Sequence, residues 1–118
     1  DLVLFIVEHR ADGRSIVLSR GQLRLRYREG FDRELWLTPG EPVQVRIPMM
    51  YVAHELPAGS RLRLLILGSD FPLIDPNPHV AGPLSRAIET RRAVQSVFHD
   101  AGRPSRLWLP LLEEGVSR

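Results

Sequence analysis

Apolar and polar positions alternate along most of this chain with a period of two, the spacing of strands whose successive side chains point to opposite faces. It opens with an unbroken apolar run, Leu2 to Val7, followed by Glu8, His9 and Arg10, which reads as a buried strand over Leu2 to Arg10. Ala11-Asp12-Gly13-Arg14 supplies an Asp-Gly turn and predicts a hairpin into a strand over Ser15 to Arg20. After Gly21, the segment Gln22 to Arg28 places Leu23, Leu25 and Tyr27 on one face and Arg24, Arg26 and Arg28 on the other. Glu29 to Leu37 reads as a loop carrying Trp36. The turn Thr38-Pro39-Gly40-Glu41 leads into Pro42 to Tyr51, where Val43, Val45 and Ile47 alternate with Gln44, Arg46 and Pro48. Pro48 marks a sheet edge or a bulge, because proline has no N–H to give to a ladder.

The most specific stretch is Ala53 to Pro78. Leu56-Pro57-Ala58-Gly59 has turn chemistry, and Leu62, Leu64 and Ile66 then alternate with Arg61, Arg63 and Leu65 in a strand expected to bury one face. From Ser69 to Pro78 prolines alternate with Phe71, Leu73 and Ile74 and with the polar Asp70, Asp75 and Asn77. Such a loop is stiff and suited to lie against another surface. Pro83 could begin a short helix over Leu84 to Arg92, but the apolar spacing there is irregular and the segment reads as loop. Ala93 to Asp100 and Ser105 to Leu112 read as strands joined by a turn through Ala101-Gly102-Arg103-Pro104. The expected fold class is all-β, a β-sandwich over residues 1–112, with Glu113 to Arg118 as a tail.

Composition narrows the picture. A chain of 118 residues with 43% hydrophobic content suits one domain with one modest core. All 16 basic residues are arginine, yet the net charge is only +2 and no aromatic residues interleave with a basic run, so nucleic acid is not the expected partner. There is no cysteine, hence no disulfide or thiolate metal site. No signal-peptide pattern and no membrane span is legible, and the cytoplasm is the default location. An apolar strand starting at Asp1 without cap or turn would expose an unpaired edge, so the chain is expected to be a fragment. That edge would meet missing strands or, in a homo-oligomer, a second copy.

An ordered set of motifs resembles a known domain. Gly59, Arg61 to Leu64, Ser69-Asp70-Phe71-Pro72 and Asn77-Pro78 are similar to a glycine turn, an Arg-x-Arg-Leu strand, a Ser-x-Phe-Pro and an Asn-Pro loop. These occur in the C-terminal jelly-roll domain of the cocaine esterase, X-prolyl dipeptidyl-peptidase and α-amino acid ester hydrolase family of serine hydrolases. Gly21 to Arg28, Val97 to Asp100 and Pro104 to Pro110 resemble three further motifs of that domain in the same order, while Ser60 stands where a histidine is often found. The resemblance implies a galactose-binding-domain-like jelly roll lacking its first strands. It also implies an accessory role, packing on the catalytic α/β-hydrolase domain of the same parent chain and helping to enclose its acyl pocket. The parent would acylate a serine, with histidine as base and an aspartate behind it, to hydrolyse an ester or prolyl peptide bond.

Candidate chemistry within the chain is sparse. There is no G-x-S-x-G elbow, so no catalytic residue is assigned and the fragment is not expected to be active alone. The pairs Ser69-Asp70, His54-Glu55 and His99-Asp100 are adjacent in strands or loops and would diverge. His9, His54, His79 and His99 lack metal-binding spacing, and Asp70, Asp75 and Asn77 are expected to form turns rather than hold calcium, so no metal or cofactor is expected. The expected contacts with the catalytic domain are Phe71, Pro72, Asp75, Asn77 and Pro78 in the loop. Arg24, Arg26 and Arg28 are a further possibility, weighed against an ordinary solvated strand face neutralised by Glu29, Asp32 and Glu34. Trp36 and Trp108 read as core or interface anchors. The competing function is an independent carbohydrate-binding β-sandwich module, which would need several aromatics on one face.

Overall fold

In the computed structural model, which describes residues 1–112, the opening apolar run becomes β1, Leu2–His9, the central strand of a three-stranded antiparallel sheet. Its neighbours are β2, Ser15–Leu23, and β3, Arg61–Leu67, in the order β2-β1-β3. A continuous apolar strand belongs at the centre because both of its faces are covered, and Val3, Ile6 and Val7 are the buried apolar residues. Three-residue 3₁₀ turns at Leu25–Tyr27 and Leu84–Arg86 are the only helical elements among the described residues, so the fold is all-β. None of these is long or apolar enough to cross a membrane.

The β1–β2 hairpin forms as the Asp-Gly pair predicts. Gly13 has φ 87°, and Arg10 and Arg14 close the turn through a 2.9 Å backbone hydrogen bond. The register shifts between Ile6↔Ser19 and Val7↔Val17, leaving Leu18 as the extra residue of a β-bulge. β3 pairs with β1 from Val3↔Leu67 to His9↔Arg61. By this register Leu4, Ile6 and Glu8 share a face with Leu62, Leu64 and Ile66.

Three expectations need correction. Gln22 to Arg28 is not a separate strand: β2 runs through Gly21 to Leu23 and the chain then curls into the first 3₁₀ turn. Leu2↔Leu23 is the last ladder pair, so beyond it the backbone satisfies itself locally, through Tyr27 N–H to Arg24 and Arg28 N–H to Leu25. Pro42 to Tyr51, Ala93 to Asp100 and Ser105 to Leu112 are likewise in no strand. The alternation in the first survives as burial, with Val45, Ile47 and Met49 half-buried between exposed neighbours, but Met50 N–H to Arg20 is its only backbone bond to the sheet edge. The turn between the other two does form, with Asp100 Oδ1 accepting from the N–H groups of Gly102 and Arg103. Finally, β3 buries neither face, since Leu64 and Ile66 are each 39% exposed. A period of two predicts extended backbone, whereas a ladder needs a neighbour at the right distance. The predicted tail, Glu113 to Arg118, lies outside the described residues.

Candidate interaction site

The loop after β3 combines a rigid base with an apolar tip. Asp70 and Ile74 form an isolated bridge closed by a 2.9 Å hydrogen bond from Ile74 N–H to Asp70 O, which pinches Phe71, Pro72 and Leu73 into a protrusion. Phe71 and Leu73 are each 70% exposed and Pro72 is exposed beside them. The Phe71-Pro72 peptide is cis. Below the tip, the Asp70 carboxylate accepts from Arg20 Nη2 at 3.1 Å. Asn77 Oδ1 accepts from His79 N–H in an Asx turn, Pro78 is buried, and its carbonyl accepts from Arg91 N–H at 2.8 Å.

The second anchor is the nearly buried Asp1 carboxylate. Its Oδ1 accepts from Asn77 Nδ2 at 2.9 Å and from Arg24 Nε at 3.0 Å, and its Oδ2 from Arg24 Nη2 at 2.9 Å, a two-pronged guanidinium contact. Arg24 Nη2 also reaches the Asp75 carbonyl at 3.5 Å. Asn77→Ala removes one of these donors, and with it the acceptor of the exposed His79 N–H, but leaves Arg24 in place. The expected cost is therefore about 1 kcal/mol, read as faster amide exchange of Ile74 and His79 with the exchange of β1 unchanged.

The three arginines do not form a stripe. With the backbone curled at Leu25–Tyr27 they diverge, and each is engaged within the chain. Arg26 is buried, with Nη1 3.3 Å from Glu34 and 3.2 Å from the Gly82 carbonyl, and its guanidinium lies 4.6 Å over the Trp36 ring. Arg28 Nη1 donates to the Leu25 and Leu35 carbonyls at 3.1 and 2.6 Å. The neutralising role expected of Glu34 is therefore present, and Trp36 has one ring face filled by an arginine. Tyr27 Oη also donates to Glu34 at 2.8 Å, a bond that holds the Glu34 carboxyl below its ordinary range and raises the Tyr27 phenol.

One cluster has the residue types of a hydrolytic triad without its order. The Glu8 side chain has no exposed surface. Its Oε1 accepts from Arg10 Nε and from Ser60 Oγ, each at 2.8 Å, and its Oε2 lies 2.7 Å from His54 Nε2. The hydrogen bond from Arg10 first, then those from Ser60 and His54, outweigh the opposing effect of burial and hold the carboxyl down to about 2. Because an ionised carboxylate only accepts, His54 Nε2 carries the proton. Serine and histidine both donate to the acid, so no base faces the serine hydroxyl and the arrangement is structural.

Sequence reasoning missed Glu8 as a hub, although a charge closing an apolar run is the signal that could have shown it. His54 bonds Glu8 from 46 residues away rather than its neighbour Glu55, and Ser60 has the same carboxylate as its partner. The sequence places Gly21 at the start of the Gln22 to Arg28 segment and gives no sign of a close neighbour. A Cβ there would lie 2.7 Å from Met49 Sδ and 2.7 Å from the Pro48 carbonyl, so it is where the 47–50 segment lies against β2.

Residues 1–108 match the profile of a family described as the X-Pro dipeptidyl-peptidase C-terminal non-catalytic domain. The chain is 30% identical over 115 residues to the cocaine esterase of Rhodococcus sp. (strain MB1 Bresler), an alignment covering 96% of this chain. It spans 20% of that protein's length. No solved structure matches the chain significantly.

Proposed function

Since the chain belongs to the X-Pro dipeptidyl-peptidase C-terminal non-catalytic domain family, we propose that it is an accessory domain, over residues 1–112, of a larger serine hydrolase acting on an ester or prolyl peptide bond. In this reading the sheet is part of a jelly-roll sandwich that packs on a catalytic α/β-hydrolase domain of the same parent chain and helps to enclose its acyl pocket. The observation that carries the reading is the Phe71-Pro72-Leu73 tip, an exposed apolar protrusion on a base pinned by Asp70, Asn77 and Pro78. Apolar side chains held in place before contact lose little entropy on docking, which makes them economical interface residues. Arg24 contributes by holding Asp1 and Asp75 beneath the loop, whereas Arg26 and Arg28 act inside the domain.

Two measurements test the proposal. The gene upstream of Asp1 is expected to encode a G-x-S-x-G elbow after a strand, followed by aspartate and then histidine. In the full-length protein, Phe71→Ala is expected to weaken domain docking by roughly 2 kcal/mol, seen as a lower unfolding temperature and a fall in kcat/KM. Unchanged stability and unchanged turnover would remove the loop from the interface. The carbohydrate-binding alternative needs several aromatics on one face; Trp36 and Trp108 are both exposed rather than in the core, but one face of the Trp36 ring is already covered by Arg26.

A further inference from the structure

The charges around the exposed tip are unevenly satisfied. Arg20 is paired with Asp70 and Arg24 with Asp1, so each of these ion pairs is neutral in sum. Burial lowers the His79 imidazole below its ordinary range, which disfavours a compensating positive charge there. Asp75 is different: it is exposed, and its carboxylate has no hydrogen-bond or ion-pair partner among the described residues. Its position is nonetheless restrained, by the Arg24 contact to its carbonyl and by Pro76 behind it. The loop thus presents an apolar wedge, Phe71 to Leu73, with a carboxylate beside it that has no hydrogen-bond or ion-pair partner among the described residues.

Resting on the reading that this tip docks on a catalytic domain, we propose that the receiving surface is an apolar groove carrying an arginine or lysine at its rim, and that this cation pairs with Asp75. A partner without such a cation would have to desolvate the carboxylate with nothing in return, whereas a basic rim residue repays the desolvation and fixes the orientation of the wedge. Because the Asp75 carboxylate makes no hydrogen bond or ion pair among the described residues, removing its charge breaks no internal bond there. An effect of that change therefore reports a contact made outside residues 1–112.

The test uses the full-length protein and measures its unfolding temperature and kcat/KM at low and high salt, for Phe71→Ser, Asp75→Asn and Asp75→Arg. Asp75→Asn is expected to lower the unfolding temperature by about 2–4 °C at low ionic strength and to be indistinguishable from wild type at high salt, where surface charges are screened. Asp75→Arg is expected to lower it by at least twice as much, since it sets like charges against each other. Arg118→Ala, which alters the basic residue nearest the end of the sequence, is expected to have no effect. If Phe71→Ser weakens the protein while both Asp75 variants match wild type, the basic rim is absent and this inference falls, although the docking reading stands. If Arg118→Ala reproduces Asp75→Asn, the partner is the chain's own tail and the inference also falls. If Phe71→Ser has no effect either, the docking reading and the inference fall together.

Discussion

Replacing Glu8 with alanine is expected to be the most damaging single change in the domain, lowering the unfolding temperature by on the order of 10–20 °C. The Glu8 carboxylate joins β1 to Arg10 and, across the fold, to His54 and Ser60 on either side of the Leu56 to Gly59 turn that leads into β3. Its loss leaves three part-buried donors without their shared acceptor, the costly half of the hydrogen-bond asymmetry. Glu8→Gln keeps the shape but can accept through only one oxygen, and is expected to fall between alanine and wild type. The two variants also differ from wild type in acid. A carboxyl held at about 2 in the folded state ionises near its ordinary 4.5 when unfolded, so between those values the unfolded state binds more protons. The contribution of Glu8 is fully present above pH 4.5 and is lost as the pH falls towards 2. Wild type is therefore expected to lose stability steeply across that window, and Glu8→Gln to lose less, when denaturant midpoints are compared at pH 5.5 and 2.5.

What the sequence made legible follows local chemistry. The hairpin at Asp12-Gly13, the turn at Gly59 and the strand Arg61 to Leu67 each depend on a few adjacent residues, and each is present. The loop from Ser69 to Pro78 was partly legible: Asn77 makes the expected Asx turn with His79, whereas the Asp70 carboxylate pairs with Arg20 and that of Asp75 closes no turn among the described residues. Contacts between distant residues were not. The Glu8 hub joins positions 8, 10, 54 and 60, and the anchor of the loop joins Asp1, Arg24 and Asn77. Each partner looks like an ordinary polar residue until the topology brings them together. The arginine alternation over Arg24 to Arg28 misled for a related reason: a period of two is compatible with a strand, but the strand ends where its ladder partner ends, at Leu2↔Leu23.

Gly21→Val is the second large effect expected, and its mechanism differs from that of Glu8 because it acts through space rather than charge. Gly21 lies in β2 opposite Leu4, and the 47–50 segment crosses so close that a Cβ would stand 2.7 Å from the Pro48 carbonyl. Methionine can swing its sulfur aside, so the 2.7 Å contact with Met49 Sδ is cheap to relieve. The carbonyl belongs to the backbone and cannot move alone. Relief requires the whole segment to lift, which breaks the bond from Ser19 Oγ to the Met50 carbonyl and that from Met50 N–H to Arg20. Overpacking of this kind costs about 1–3 kcal/mol, and each hydrogen bond lost adds about 1 kcal/mol. Gly21→Ala carries the same first clash and differs only in lacking the two further methyl groups, so it is expected to show most of the effect. The location of the damage separates this account from a loss of strand flexibility. Amide exchange at Met50 should accelerate by at least tenfold while Leu4, Ile6 and Leu64, in the β1–β3 ladder, keep their protection relative to global unfolding. Equal acceleration at all four amides would mean that Gly21 is needed by β2 itself, and that the 47–50 segment contributes nothing to holding the sheet.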